Sequence, residues 1–212
     1  MIEVDAKKYD RYVLDLPRLS LTIGDWRHEF REEEYKMIIA DAFNHCTDPE
    51  RSTYEIEDVK TERDRIVAIS IVGYLITDKM VHLVLLMDPE LRKEEEEELT
   101  ILFKQNLNKK LQETLDGIHS IKHYERHGIP LIDAEDNVPG GFSKYMNFME
   151  AGPFNNYDLI KLLTGYRVER PYYDPQLERL KDRLHSYRFC SLVDYSGAVG
   201  PVIIGKLKNQ IN

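Results

Sequence analysis

Gly73-Tyr74-Leu75-Ile76-Thr77-Asp78-Lys79-Met80-Val81-His82-Leu83-Val84-Leu85-Leu86 reads as two apolar strands joined by a tight polar turn. β-Branched residues crowd Ile66 to Thr77, and a second apolar run spans Met80 to Met87. Between them Asp78-Lys79 is short enough for a hairpin turn. Residues 66–87 therefore predict an antiparallel hairpin at the centre of a sheet. His82 lies inside the second run. A lone histidine on an apolar strand is ordinarily a packed residue satisfied by one hydrogen bond.

Upstream, Tyr35, Ile38, Ile39, Ala42 and Phe43 recur at helical spacing and predict a helix from Glu32 to Cys46. Tyr9 to Ile23 predicts a first strand centred on Tyr12-Val13-Leu14, with Pro17 confining it to an edge or ending it. Asp48 to Arg65 is polar and irregular, with a short strand at Tyr54-Glu55-Ile56.

Downstream, Asp88-Pro89 is a helix start, aspartate as cap and proline at the first position. The predicted helix, 89–116, carries Glu94 to Glu98 on a solvated face near its positive end. Leu99, Leu102, Phe103, Leu107, Leu111 and Leu115 form its apolar stripe, and Gly117 is the expected stop. Gly128 to Pro153 reads as loop with a short insert. Tyr157 to Leu163 and Gln176 to Leu184 are short helices, the latter with Leu177, Leu180 and Leu184 on one side. The tail Gly200 to Leu207 has a strand-like Val202-Ile203-Ile204. Strands and helices in this order imply an α+β class. With no internal repeat and no linker, 1–212 reads as a single domain.

The chain has 212 residues, 42% of them apolar and 32% charged, a globular rather than disordered balance. Cys46 and Cys190 form no framework with each other or with histidines, which points to a reducing, cytoplasmic compartment. Met1 to Asp5 has no signal-peptide core, and the apolar runs are broken by Asp78, Lys79 and His82, so no membrane partner is expected. The net charge of −9 argues against a protein that coats nucleic acid, though a whole-chain sum does not exclude a local basic groove.

His119, His123 and His127 would share one face of a helix, where adjacent pairs suit a divalent metal. No neighbouring carboxylate or cysteine completes a site, so an exposed polar stripe is the preferred reading.

Two further patterns change the weight of His82. The hairpin from Gly73 to Leu85 resembles the signature hairpin of the single-tyrosine HUH transposases, the insertion-sequence and REP-associated group. There the second strand carries His-hydrophobic-His followed by aliphatic residues. Here Val81 and His82 match, and Met80 stands in the place of the first histidine. Near the C-terminus, Tyr187-Arg188-Phe189-Cys190-Ser191-Leu192-Val193-Asp194-Tyr195-Ser196-Gly197 is similar to the closing segment of that family. Tyr187, Ser191, Asp194, Tyr195 and Gly197 fit in order and distance, and Cys190 takes a serine's place. The closing segment spans 185–207. The family's nucleophile lies on a helix, often as Tyr-x-x-x-Asn-Pro, and Tyr166 to Pro171 has the tyrosine and the proline at that spacing. Tyr157, Tyr172 and Tyr173 are rivals to Tyr166.

The resemblance implies a ferredoxin-like antiparallel sheet with helices packed on one face. It implies single-stranded or hairpin DNA as partner, with homodimerisation open, and cleavage and rejoining through a 5′-phosphotyrosine on Tyr166. The implied cofactor is magnesium or manganese held by His82. Two of three expected metal ligands are replaced. Met80 offers a soft thioether, and Arg170 stands where a third ligand lies one turn after the nucleophile. Arg170 is then a DNA-phosphate contact instead. The expectation is a degenerate transposase-like protein with reduced or lost cleavage. The alternative is a non-catalytic protein-interaction module on the same fold.

Overall fold

The structure is a computed structural model, described here for residues 13–48, 54–58, 63–127, 149–150, 154–205 and 207. Strands β1 (Arg18–Thr22), β4 (Ser70–Ile76), β5 (Met80–Leu86) and the two-residue β6 (Met149–Glu150) form one sheet in the order β4-β5-β1-β6. Every adjacent pair is antiparallel. A separate two-stranded sheet pairs β2 (Tyr54–Asp58) with β3 (Arg63–Val67).

Hairpin β4–β5 forms as its sequence predicts, but Ile66 to Thr77 is not one strand. β5 ends at Leu86, opposite Ser70, so residues before Ser70 have no partner on the main sheet. Ile66 and Val67 belong instead to β3, opposite β2, and residues 68–69 lie between the strands. Nor is the hairpin central. β4 lies at one margin, and β5 and β1 are the interior strands. The first strand is displaced as well. Val13 to Asp15 are helical, and β1 starts only after Pro17, whose carbonyl accepts from Leu85 N–H at 2.9 Å. The proline divides helix from strand and leaves β1 free to donate along its whole length.

α1 (Glu32–Thr47) and α2 (Lys93–His127) pack together on one face of the sheet. Period-two alternation sends Leu19 and Leu21 of β1 and Val81, Leu83 and Leu85 of β5 into that core. From the helices come Ile39 and Phe43 and the stripe of Leu99, Phe103, Leu107, Leu111 and Leu115, with Leu102 partly buried beside them. Each such side chain contributes about 1.5–3 kcal/mol by leaving water.

α2 starts at Lys93 rather than Pro89. Asp88 accepts from Glu90 N–H in a local turn, and Glu95 caps the helix by accepting from Arg92 N–H at 2.7 Å. Glu95 is therefore buried and paired with the Arg92 guanidinium, while Glu94, Glu97 and Glu98 lie on the solvated face. Gly117 does not stop the helix. A helical glycine costs only about 1 kcal/mol, which a 35-residue helix on an apolar stripe absorbs.

The second face of the sheet is covered too, against the expectation of helices on one face only. α3 (Tyr157–Leu163) lies on β4, where Ile160 packs with Val72 and Val84, and Leu163 with Leu75. Gly73 permits this approach, since a Cβ there would stand 2.9 Å from the Leu163 carbonyl oxygen. α4 (Pro175–His185) adds Leu177 and Leu184 to the same layer, and α5 (Leu192–Tyr195) follows. Val202 to Ile204 form no strand. The two glycines of the tail, Gly200 and Gly205, sit against Tyr74 and Ser70 instead.

Candidate functional site

Met80, His82 and Val84 alternate with the core residues of β5 and so share the second face of the sheet. His82 stands opposite Ser20 of β1 and Leu75 of β4. Its Nδ1 lies 2.9 Å from Ser20 Oγ, and its ring lies 4.9 Å, centroid to centroid, from that of Phe154. Burial lowers its pKa from the ordinary histidine value, which favours the neutral imidazole. Ser20 fixes one nitrogen and Phe154 shields one side of the ring.

Tyr166 reaches the same layer. Its ring packs against the cluster of Val72, Val84 and Ile160, and its hydroxyl oxygen is buried. Tyr166 is not on a helix, however. α3 ends at Leu163, Gly165 turns the chain with φ 77°, and residues 166–170 belong to neither helix nor strand. The turn-of-helix spacing that would bring residue 170 back beside Tyr166 is therefore lost.

Arg170 is exposed and bound to Asp158 at 2.6 Å. The Asp158 carboxylate raises the guanidinium pKa further. Arg170 lines an open surface pocket with Tyr172, Tyr173, Asp174 and Lys181. Tyr157, Tyr172 and Tyr173, the rival tyrosines, are all exposed.

The closing segment is a clasp on the open margin of β4. Tyr187 Oη donates to the Ile76 carbonyl at 2.7 Å, and Tyr195 Oη to the Val72 carbonyl at 2.6 Å. Ser191 Oγ accepts from Tyr74 N–H at 2.9 Å and donates to the Leu163 carbonyl at 2.6 Å. Asp194 accepts from Tyr74 Oη at 3.1 Å and from Gly200 N–H at 2.7 Å. Gly197 takes φ 92°, a conformation that favours glycine. Backbone bonds from Ile76 N–H to Phe189, Ser191 N–H to Tyr74 and Gly205 N–H to Ile71 complete the cover. Cys190 is buried inside it, and burial pushes its thiol, like that of Cys46, up to about 12.

Sequence reasoning missed Lys36. Its side chain is 1% exposed, and its ammonium donates to Glu32, to Asp78 at 2.8 Å and to Tyr187 Oη at 2.8 Å. The rings of Tyr35, Tyr187 and Phe189 surround it at 5.3 to 5.7 Å. Burial pulls its pKa down, but the three hydrogen bonds outweigh that and hold it above the ordinary lysine value. The signal was present: Lys36 is four residues from Glu32 and shares the apolar face of Ile39, Ala40 and Phe43. It ties α1 to the hairpin turn and to the clasp.

The donor set does not fit magnesium or manganese. On β1, β4 and β5 this face offers one imidazole, a thioether and the Ser20 hydroxyl, but no carboxylate. Among the described residues no cluster of three histidine, cysteine or acidic side chains could hold a metal ion. His119 is exposed, and the side chains of His123 and His127 lie outside the described residues. No helix among them is long and apolar enough to cross a membrane. Comparison with protein-family models, curated proteins and solved structures finds no match to this chain.

Proposed function

We propose that this chain is a cytoplasmic, transposase-like domain that binds single-stranded or hairpin DNA and has lost or reduced strand cleavage. The observation that carries the reading is the main sheet. Its strands and helices follow one another as β-α-β-β-α-β, with the first and third strands, β1 and β5, side by side at the centre. That order agrees with the ferredoxin-like domain the resemblance implies, and so supports the reading. His82 and Tyr166 lie on the face away from the two long helices.

Loss of cleavage is supported by the same face. Met80 occupies the first ligand position, Ser20 holds one His82 nitrogen, and Tyr166 has left its helix. Arg170 is engaged by Asp158. Incubation with single-stranded hairpin DNA and magnesium or manganese should give no covalent protein–DNA adduct, and Met80→His alone should not restore one. An adduct abolished by Tyr166→Phe would establish an active enzyme instead.

A second reading, a protein-interaction module on the same fold, is favoured by the net charge of −9 and by the neutralisation of Arg170. Fluorescence anisotropy with labelled single-stranded and hairpin oligonucleotides separates the two. Binding at low salt supports the first, and none at any salt selects the second.

A further inference from the structure

We propose that Arg18 is a phosphate anchor on the His82 face of the sheet. Arg18 is the first residue of β1 and shares its face with Ser20, the residue that holds His82. It stands opposite Val84 on β5, and Tyr166 packs against the cluster containing Val84. Arg18 therefore lies one residue pair from the Ser20–His82 pair, roughly 7 Å along the strand, on the Tyr166 side.

Its guanidinium is the unusual feature. Nη1 is buried and makes no hydrogen bond, although the residue as a whole keeps part of its surface in solvent. A buried donor without an acceptor is costly, and a charged one more so. A guanidinium fork matches a phosphate in both charge and geometry. β1, β4 and β5 contain no acidic residue at all, so nothing on these strands competes for the cation. Arg170, the phosphate contact expected from sequence, is engaged by Asp158 on the exposed loop. The sheet arginine is the better placed of the two. The ligand, a backbone phosphate of single-stranded DNA, rests on the DNA-binding reading. The anion site itself does not.

The full-length chain is compared with Arg18→Met and Arg18→Lys. Thermal unfolding is followed with and without inorganic phosphate, and binding of a labelled single-stranded hairpin oligonucleotide is titrated across salt. Phosphate should raise the melting temperature of the parent and leave that of Arg18→Met unmoved. Arg18→Met should bind the oligonucleotide about tenfold more weakly, with the log–log salt slope reduced by about one. Arg18→Lys should retain the slope and recover part of the affinity. Without phosphate, Arg18→Met should melt at the same or a higher temperature, because an unpaired buried donor has been removed. A lower melting temperature with an unchanged phosphate response would overturn the proposal in favour of a packing role. Oligonucleotide binding that ignores residue 18 would overturn it while leaving the DNA reading intact. An Arg18-dependent phosphate response without oligonucleotide binding would uphold the anion site and remove the DNA reading.

Discussion

The clasp on β4 and the face around His82 are two halves of one resemblance, and the structure uses them differently. In the clasp, four of the five matching side chains, Tyr187, Ser191, Asp194 and Tyr195, each make a hydrogen bond of 3.1 Å or less. Those bonds satisfy β4 itself or the turn beside it. Among the described residues, the polar inventory around His82 is thin: one serine contact, one aromatic neighbour and a methionine. The closing motif is therefore accounted for by covering a strand margin. It signals a fold, and it says nothing of cleavage.

The comparison can be broken or sharpened by substitution. The largest effect is expected in the core that both halves share. Phe103→Ala should cost about 3–5 kcal/mol in denaturant unfolding. A loss below about 1 kcal/mol would mean that α2 stands off the sheet. Next comes the clasp. Ser191→Ala strands the Tyr74 N–H and the Leu163 carbonyl inside the protein, and should cost about 1–3 kcal/mol. His82→Phe, by contrast, should change stability by less than about 1 kcal/mol, since it removes one hydrogen bond and adds apolar surface. Equal losses at 191 and 82 would erase the distinction between the two regions.

Lys36→Met should cost about 1 kcal/mol at pH 7, because the cation is lost but the Glu32 and Asp78 carboxylates it leaves are largely exposed. Its signature is in the pH profile. The Lys36 hydrogen bond lowers the Asp78 pKa. That contribution is present above the unfolded carboxylate value of about 3.9 and lost as pH falls through the folded one. Lys36 has its pKa raised. Its contribution is present below about 10.4 and lost as pH rises through the folded value. The variant should be flatter at both ends, and an unchanged acid limb would disprove the Lys36–Asp78 link.

The smallest effect is that of His82 itself. Its pKa is lowered by burial, so the unfolded chain takes up the proton first. Stability contributed by the neutral ring is full above about pH 6.5 and declines as pH falls toward the folded value. An imidazole titrating at or above that reference by NMR would contradict the buried geometry.

The elements with strong periodicity were legible. The hairpin, α1, the stripe of α2 and the two short C-terminal helices all show their period directly. The misreadings have physical causes. Val13 and Leu14 are apolar in either a helix or a strand, and only Pro17 marked the boundary. Gly117 was too weak a breaker for so long a helix, and Glu95 became a cap because Arg92 N–H needed an acceptor. That β4 lies at the margin depends on which strands pair, which a local pattern does not carry. At the site, period two was enough to put Met80 and His82 on one face. Neither the contact of His82 with Ser20, 62 positions away, nor the departure of Tyr166 from its helix has a local sequence signal.

Tyr74 and Ser191 are 117 positions apart. A ribosome that has just released β4 needs on the order of ten seconds to deliver the segment that covers it. Until then Ser-Ile-Val-Gly-Tyr-Leu-Ile presents a naked apolar ladder, open to the same strand of a neighbouring nascent chain. Chaperones and slow, cool expression should therefore raise the yield of folded protein. Any truncation that ends before Tyr187 should accumulate in inclusion bodies rather than as a smaller folded unit.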